Sequence, residues 1–249
     1  MAIPTPISFW NFDASSGNAA DALGVNTLTN NNTTPYVAGL IGNAADLERG
    51  SSQSFSITDG AQTGLDFSGD MSVAAWVNIE STNDTSCIVA KTNGDSARSY
   101  IFRILGSGDG TVLNVEIYGD GTTSNRRGAN SNAAFIGGGE TGTWVHMAAT
   151  FDVDTGAVVL YKNGSSFAST ASNAGTVASI YNSTNAFQAG AANYLGTPEQ
   201  FYDGKLDMLG VWNVTLTAGQ VSELYNAGAG IQYPFASAVN SGFFRAALM

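Results

Sequence analysis

From Trp144 to Gly164 the chain alternates with a period of two. Val145, Met147, Ala149 and Phe151 fall on one side, and Trp144, His146, Ala148 and Thr150 on the other. Both sides carry apolar weight, which predicts a strand inside a stack of layers and not at an edge. Val158, Val159, Leu160 and Tyr161 form a second run, and Asn163-Gly164 favours the positive φ angles of a type I′ turn. A third strand through Phe167 should therefore fold straight back. The same alternation recurs in Met71, Val73, Ala75, Val77 and Ile79 against Ser72, Ala74, Trp76 and Asn78. It recurs again in Leu206, Met208, Gly210 and Trp212 against Asp207, Leu209 and Val211.

Further strands are expected over 7–12, around Phe55 and Ile57, and in the runs CIVAK, ARSYIFRIL and TVLNVEIY. In the last of these, Leu113, Val115 and Ile117 share a face, leaving Asn114, Glu116 and Tyr118 on the other. Segments 119–142 and 189–202 are rich in Gly, Asn and Ser and read as loops, the first carrying the paired Arg126-Arg127. Near the C-terminus the period changes. Thr217 is a helix N-cap with Gln220 completing a capping box, Val221, Leu224 and Tyr225 make one apolar face, and Gly228 is placed to end the helix.

These phrases resemble, in order, the laminin-G-like, concanavalin A-like jelly-roll family. WVHMAATFD is similar to its W-x-H-x-A-x-T-F/Y-D strand, and GAVVLYKNG to its G-x-V-x-L-Y-x-N-G hairpin. SFWNFDASSGNAADALGVNTLT is similar to the family's opening, with Asp13 and Asp21 at its two aspartates, and VAGLIGNAADLE to its V-x-G-x-x-G-N-A phrase. SVAAWVNIE and GKLDMLGVWN complete the set. The resemblance runs from residue 7 to about 230. It implies an all-β, two-sheet antiparallel jelly-roll β-sandwich with one short C-terminal helix, as a single domain over 1–235. Residues 236–249 form an apolar tail beyond it.

Composition agrees with that class. Charged residues make up 12% of the chain, against about 25% for soluble domains, and 30 glycines punctuate short apolar runs. A net charge of −11 argues against a nucleic-acid partner, whereas clustered carboxylates attract divalent cations. Cys87 is the one cysteine, so no intrachain disulfide forms, and its strand setting reads as a small buried hydrophobe. No basic segment followed by an apolar stretch opens the chain, and no run approaches the ~20 apolar residues of a membrane span. The expectation is a soluble protein without a signal peptide.

Catalytic patterns are missing. The glycoside hydrolases that share the sandwich carry E-x-D-x-x-E on one strand, and no glutamate here has that neighbourhood. His146 is the lone histidine and no G-x-S-x-G occurs. Gly137, Gly139 and Gly142 match G-x-G-x-x-G, but a strand follows where a phosphate cradle needs a helix. Asp152, Asp154 and Gly156 read as a turn and not a calcium loop, because no glutamate follows at the required spacing.

Asp207 sits in an otherwise apolar strand and needs a partner. The family resemblance implies Ca2+, with Asp13 and Asp21 nearby; backbone amides, Lys205 or an arginine serve equally well. Jelly rolls of this family also imply glycan binding on one sheet, and the candidates are Tyr100 and Phe102, Asn114, Glu116 and Tyr118, with Tyr194, Phe201 and Tyr202 from the neighbouring loop. Two classes follow. One is a virion-type decoration or adhesion protein, since LYNAGAGIQYPF resembles jelly-roll proteins of bacteriophage origin and the tail with Phe243, Phe244 and Leu248 offers a docking or oligomerisation segment. The other is a carbohydrate-binding module of a polysaccharide-acting system, with a hydrolase lacking the usual carboxylates as the least favoured variant.

Overall fold

In the computed structural model, which describes residues 2–94, 97–106 and 111–235, each period-two run forms a strand. In chain order these are β1 (Ser8–Trp10), β2 (Thr29–Asn31), β3 (Tyr36–Ala38), β4 (Asn43–Leu47), β5 (Ser54–Ile57) and β6 (Met71–Ile79). There follow β7 (Ser86–Thr92), β8 (Arg98–Ile104), β9 (Leu113–Tyr118), β10 (Arg126–Ser131), β11 (Val145–Asp152) and β12 (Ala157–Lys162). The last are β13 (Ser165–Phe167), β14 (Ser169–Ala171), β15 (Phe187–Ala189), β16 (Ala192–Tyr194), β17 (Thr197–Glu199) and β18 (Gly204–Trp212), before helix α1 (Ala218–Tyr225). The tail segment 236–249 lies outside the described residues.

Two eight-stranded antiparallel sheets result. The first runs β13-β12-β11-β6-β18-β4-β3 with β1 on β18, and the second runs β14-β10-β9-β8-β7-β15-β5-β2. Val73, Ala75 and Val77 of β6, Met147 and Ala149 of β11, and Leu206 of β18 meet Phe55, Val89, Phe102, Val115 and Ile117 of the second sheet in one buried layer. Each such large side chain contributes ~1.5–3 kcal/mol by leaving water. The opposite face of the first sheet is apolar as well, because Trp76, Ala148, Tyr161, Met208 and Trp212 are covered by Val221 and Leu224 of α1. That second layer accounts for the apolar weight on both sides of β11.

The local signals act as expected at the Asn163-Gly164 turn, with φ of 49° and 75°, and at the helix start. There Thr217 accepts from the Gln220 N–H while the Gln220 side chain accepts from the Thr217 N–H. The helix stops earlier than Gly228. Asn226 takes the left-handed cap at φ 49°, a conformation Asn tolerates better than most residues with a Cβ.

Three features differ from the expectation. Strict alternation in β18 breaks at a bulge between Asp207 and Gly210, where Met208 has φ 50°. Leu206, Leu209 and Val211 therefore face the core, and Met208 and Trp212 the helix layer. The 119–142 segment contains β10, which pairs with β9 and β14, so Arg126-Arg127 belong to a strand. The 189–202 segment contains the β16–β17 hairpin. Both have weak strand propensity and gain their shape from neighbouring strands.

Candidate functional site

The outer face of the second sheet carries a network of polar side chains. Because Leu113, Val115 and Ile117 of β9 turn into the core, Asn114, Glu116 and Tyr118 stand together on the other side. Glu116 is held from both flanks: Oε2 lies 3.2 Å from Arg103 Nη2 of β8, and Oε1 lies 3.1 Å from Arg126 Nε of β10. Tyr118 donates its hydroxyl to Glu116 Oε2 at 2.8 Å and receives a hydrogen bond from Arg98 Nη1 at 3.1 Å. The Arg98 guanidinium also lies 5.5 Å from the Tyr118 ring centroid. Burial, and then the Glu116 charge, push the Tyr118 phenol up to about 12. Arg103 extends the network to Asn114 Oδ1 at 2.9 Å and Gln200 Oε1 at 3.2 Å, and Asn114 donates to Asn130 at 2.7 Å.

Over the middle of this face lies the β16–β17 hairpin. Ala192 packs with Cys87, Ala90, Ile101 and Tyr118, which buries Cys87 and raises its thiol to about 12 through desolvation. The hairpin tip holds Tyr194, 42% exposed, and Leu195, 75% exposed and at φ 49°. A cleft of ≈ 40 Å3 between the tip and β8–β9 is lined by Arg98, Arg103, Tyr118, Tyr194, Glu199 and Gln200 among others. That volume is room for a few water molecules, and Tyr194 offers a flat surface beside it.

Of the residues anticipated for ligand binding, Asn114, Glu116, Tyr118 and Tyr194 converge on this face. Tyr100 and Tyr202 do not. Both are fully buried in the core between the sheets, together with Phe102, their hydroxyls donating to the Leu65 and Lys205 carbonyls at 3.0 and 3.2 Å. The Tyr100 and Phe102 side of β8 is its inner side, so its outer side presents Ile101 and Arg103. Arg98, Arg103 and Gln200 were not anticipated. In β8 each parity carries one arginine, Arg98 with Tyr100 and Phe102 and Arg103 with Ile101, so alternation alone did not mark the outer face, and Gln200 is brought in by the hairpin.

The anticipated cation ligands separate as well. Asp21 is buried, and its Oδ1 accepts the Phe9 and Leu23 N–H groups and its Oδ2 the Asn26 N–H, at 2.9 to 3.1 Å. Its oxygens serve the loop, so Asp21 does not fit a metal. Asp207 Oδ2 accepts the Leu40 and Ile41 N–H groups at 3.0 and 3.4 Å, whereas Oδ1 is buried and has no partner. Burial, and then the neighbouring Asp13 charge, push its carboxyl up to about 7 against the pull of the amides. Asp13 accepts from Asn43 N–H and Gln232 Nε2 at 2.9 and 2.7 Å on the same loop cluster. Two carboxylates that repel each other, one with an unpaired buried oxygen, fit a hard divalent cation. Asp46, Glu48 and Glu80 also gather within 4.8 Å, but Lys205 Nζ already lies 2.5 Å from Glu80 and 3.9 Å from Asp46.

Two antiparallel sheets sharing one buried layer, with one short C-terminal helix, make a jelly-roll sandwich. A family model described as the concanavalin A-like lectin/glucanases superfamily matches residues 49–222, and the chain belongs to that superfamily. Among solved structures it is similar to domain 4 of AbnA, a GH43 extracellular arabinanase from Geobacillus stearothermophilus in complex with arabinotriose. That match has a TM-score of 0.63 and 22% identity, over 88% of this chain and 97% of that one. The botulinum neurotoxin serotype G binding domain matches at TM-score 0.65 and 14% identity, over 90% of this chain and 51% of that one. The CBM40 of a Ruminococcus gnavus IT-sialidase, bound to α2,3-sialyllactose, matches at TM-score 0.52 and 15% identity, over 67% and 85%. No curated protein matches the chain. Among the described residues no helix is long and apolar enough to cross a membrane.

Proposed function

We propose that this protein is a non-catalytic carbohydrate-binding module that takes glycans on the outer face of its second sheet. The observation that carries the reading is the fixed network of Arg103, Glu116, Arg126 and Tyr118 beside the exposed Tyr194. Sugars combine hydroxyls with apolar CH faces, and this face offers charge-assisted hydrogen bonding next to an aromatic surface. Glu116 is tied to two guanidinium groups, a setting for orientation and not for proton transfer to a glycosidic oxygen. Similar sandwiches solved with arabinotriose and with sialyllactose support the ligand class. A glycan array tests it: saturable binding of some glycan, recovered unhydrolysed, is expected, and enzyme-like turnover of a polysaccharide contradicts it.

For the other end of the sandwich we propose one structural Ca2+ held by Asp207 and Asp13. When bound it would supply the counter-charge that their carboxylates lack among the described residues. Attachment to a larger assembly, a virion-type surface included, is a further proposal resting on the apolar 236–249 segment. Removing that segment is expected to leave the melting temperature unchanged and to abolish assembly.

A further inference from the structure

On the far side of the β16–β17 hairpin from Arg103, strands β15, β5 and β2 present an uncharged row. Gln188 pairs with Ser56, Ser56 with Thr29, and Ser54 with Asn31. Paired residues of antiparallel strands project to the same side. Phe187, Ala189, Phe55 and Ile57 occupy the core side of these strands, so the polar row is on the outer face. With Pro198 and Phe201 from the hairpin and the segment after it, the row lines a groove of ≈ 430 Å3. That lies in the ordinary range for a small-ligand site, about 300–1,000 Å3, and is far larger than the cleft beside Tyr118.

The floor of this groove has an unmet acceptor. Gln188 is 5% exposed, and its Nε2 donates to Asn193 Oδ1 at 2.8 Å, whereas its Oε1 has no partner. A buried polar atom without a partner is the exception in folded proteins and calls for an external donor or a water. Asn31 Nδ2 donates to Ser54 Oγ at 3.3 Å and to Ser56 Oγ at 3.0 Å. Each serine thus accepts on one lone pair and keeps its own O–H for an acceptor outside. Two hydroxyl donors and one amide acceptor therefore share one row, and none of the residues lining the groove is charged.

We propose that this groove is a second subsite, for an uncharged sugar ring, with ring hydroxyls on Gln188, Ser54 and Ser56 and an apolar ring face on Phe201. The inference rests on the outer face being the carbohydrate face, and it names the half of that face which takes a neutral ring. An anionic group is disfavoured here because no cation lines the groove.

Side-chain amide resonances of Gln188 and Asn31 in 1H–15N spectra test it, with arabinotriose, xylotriose and cellotriose as probes up to about 10 mM, the range of weak single-ring contacts. Saturable shifts of both amide groups are expected with at least one probe. Gln188→Met and Phe201→Ala should each weaken that binding about tenfold, the size of one lost hydrogen bond or ring contact, while Tyr194→Ala leaves these two amide groups responsive. Melting curves of the variants guard against misfolding, and Ser56→Ala serves as a milder probe of the same row. If binding is lost with Tyr194→Ala but survives Gln188→Met, the second subsite is wrong and the carbohydrate face stands. If no probe shifts any resonance of the outer face, both readings fail together.

Discussion

Arg103 reaches Glu116 diagonally across two strands. In the register of β8 and β9, Glu116 is opposite Ile101 and Arg103 is opposite Asn114, yet the guanidinium spans to Glu116 Oε2 at 3.2 Å while its Nε holds Asn114. A diagonal ion pair with Arg126 closing the other side fixes the carboxylate in place between strands. Replacing Glu116 by Ala leaves two arginines without their shared partner. A loss of ~2 kcal/mol is expected in denaturant unfolding, below the value for a fully buried pair because both guanidinium groups are part-exposed. A change under ~0.5 kcal/mol, the level of ordinary surface substitutions, would show the network to be ornamental to stability.

Tyr194→Ala separates binding from folding. The residue is 42% exposed on the hairpin tip, so removal of its ring should barely move the melting temperature. Affinity for a glycan that stacks there should fall about tenfold, in line with aromatic contacts worth ~1 kcal/mol or somewhat more. Unchanged affinity for such a glycan places the stacking surface elsewhere.

Calcium should raise the melting temperature relative to a chelated sample. The gain is ~2.7 kcal/mol when the free ion stands at about a hundred times its dissociation constant. The response should vanish in Asp207→Asn and weaken in Asp13→Asn. Asp21→Asn should instead destabilise with or without calcium, because the Asp21 carboxylate serves three backbone N–H groups. A calcium response that survives in Asp207→Asn removes the site.

His146 gives a pH signature. Burial against Trp76 and Tyr225 lowers its imidazole to about 3, below the usual 6.5. Between these values the unfolded chain binds a proton that the folded one does not, so stability is present above about pH 6.5 and drains away as pH falls toward 3. The slope from this group is at most about 1.4 kcal/mol per pH unit. His146→Phe should lose that component of the acid sensitivity, seen as a smaller gap between melting temperatures at pH 7 and pH 5 than the parent shows. An equal gap in both proteins would mean His146 titrates normally.

Much of the sandwich was legible because burial on one face of a strand writes itself as alternation, as in Met71 to Ile79 and Val145 to Phe151. The bulge at Asp207-Met208 was not, since a residue inserted into a strand leaves the composition unchanged and only shifts parity. Tyr100 and Tyr118 show the limit at the site. Both are tyrosines on adjacent strands, but β8 is apolar enough on each side that its inner face could not be told from its outer one. The tyrosine of β9 was placed correctly because Asn114 and Glu116 marked its outer face. The β16–β17 hairpin, which divides the outer face of the second sheet, owes its course to packing of Ala192 on Cys87, Ala90 and Ile101, a relation between residues distant in the chain.

Calorimetric titration of a glycan recovered from an array, against the parent protein and a Tyr194→Ala, Phe201→Ala double variant, tests the central claim most directly. The account predicts saturable heat with the parent, recovery of the glycan intact, and loss of most of that affinity in a variant that melts within a few degrees of the parent. Equal affinity in the two proteins, or cleavage of the glycan, contradicts a non-catalytic binding face on the second sheet.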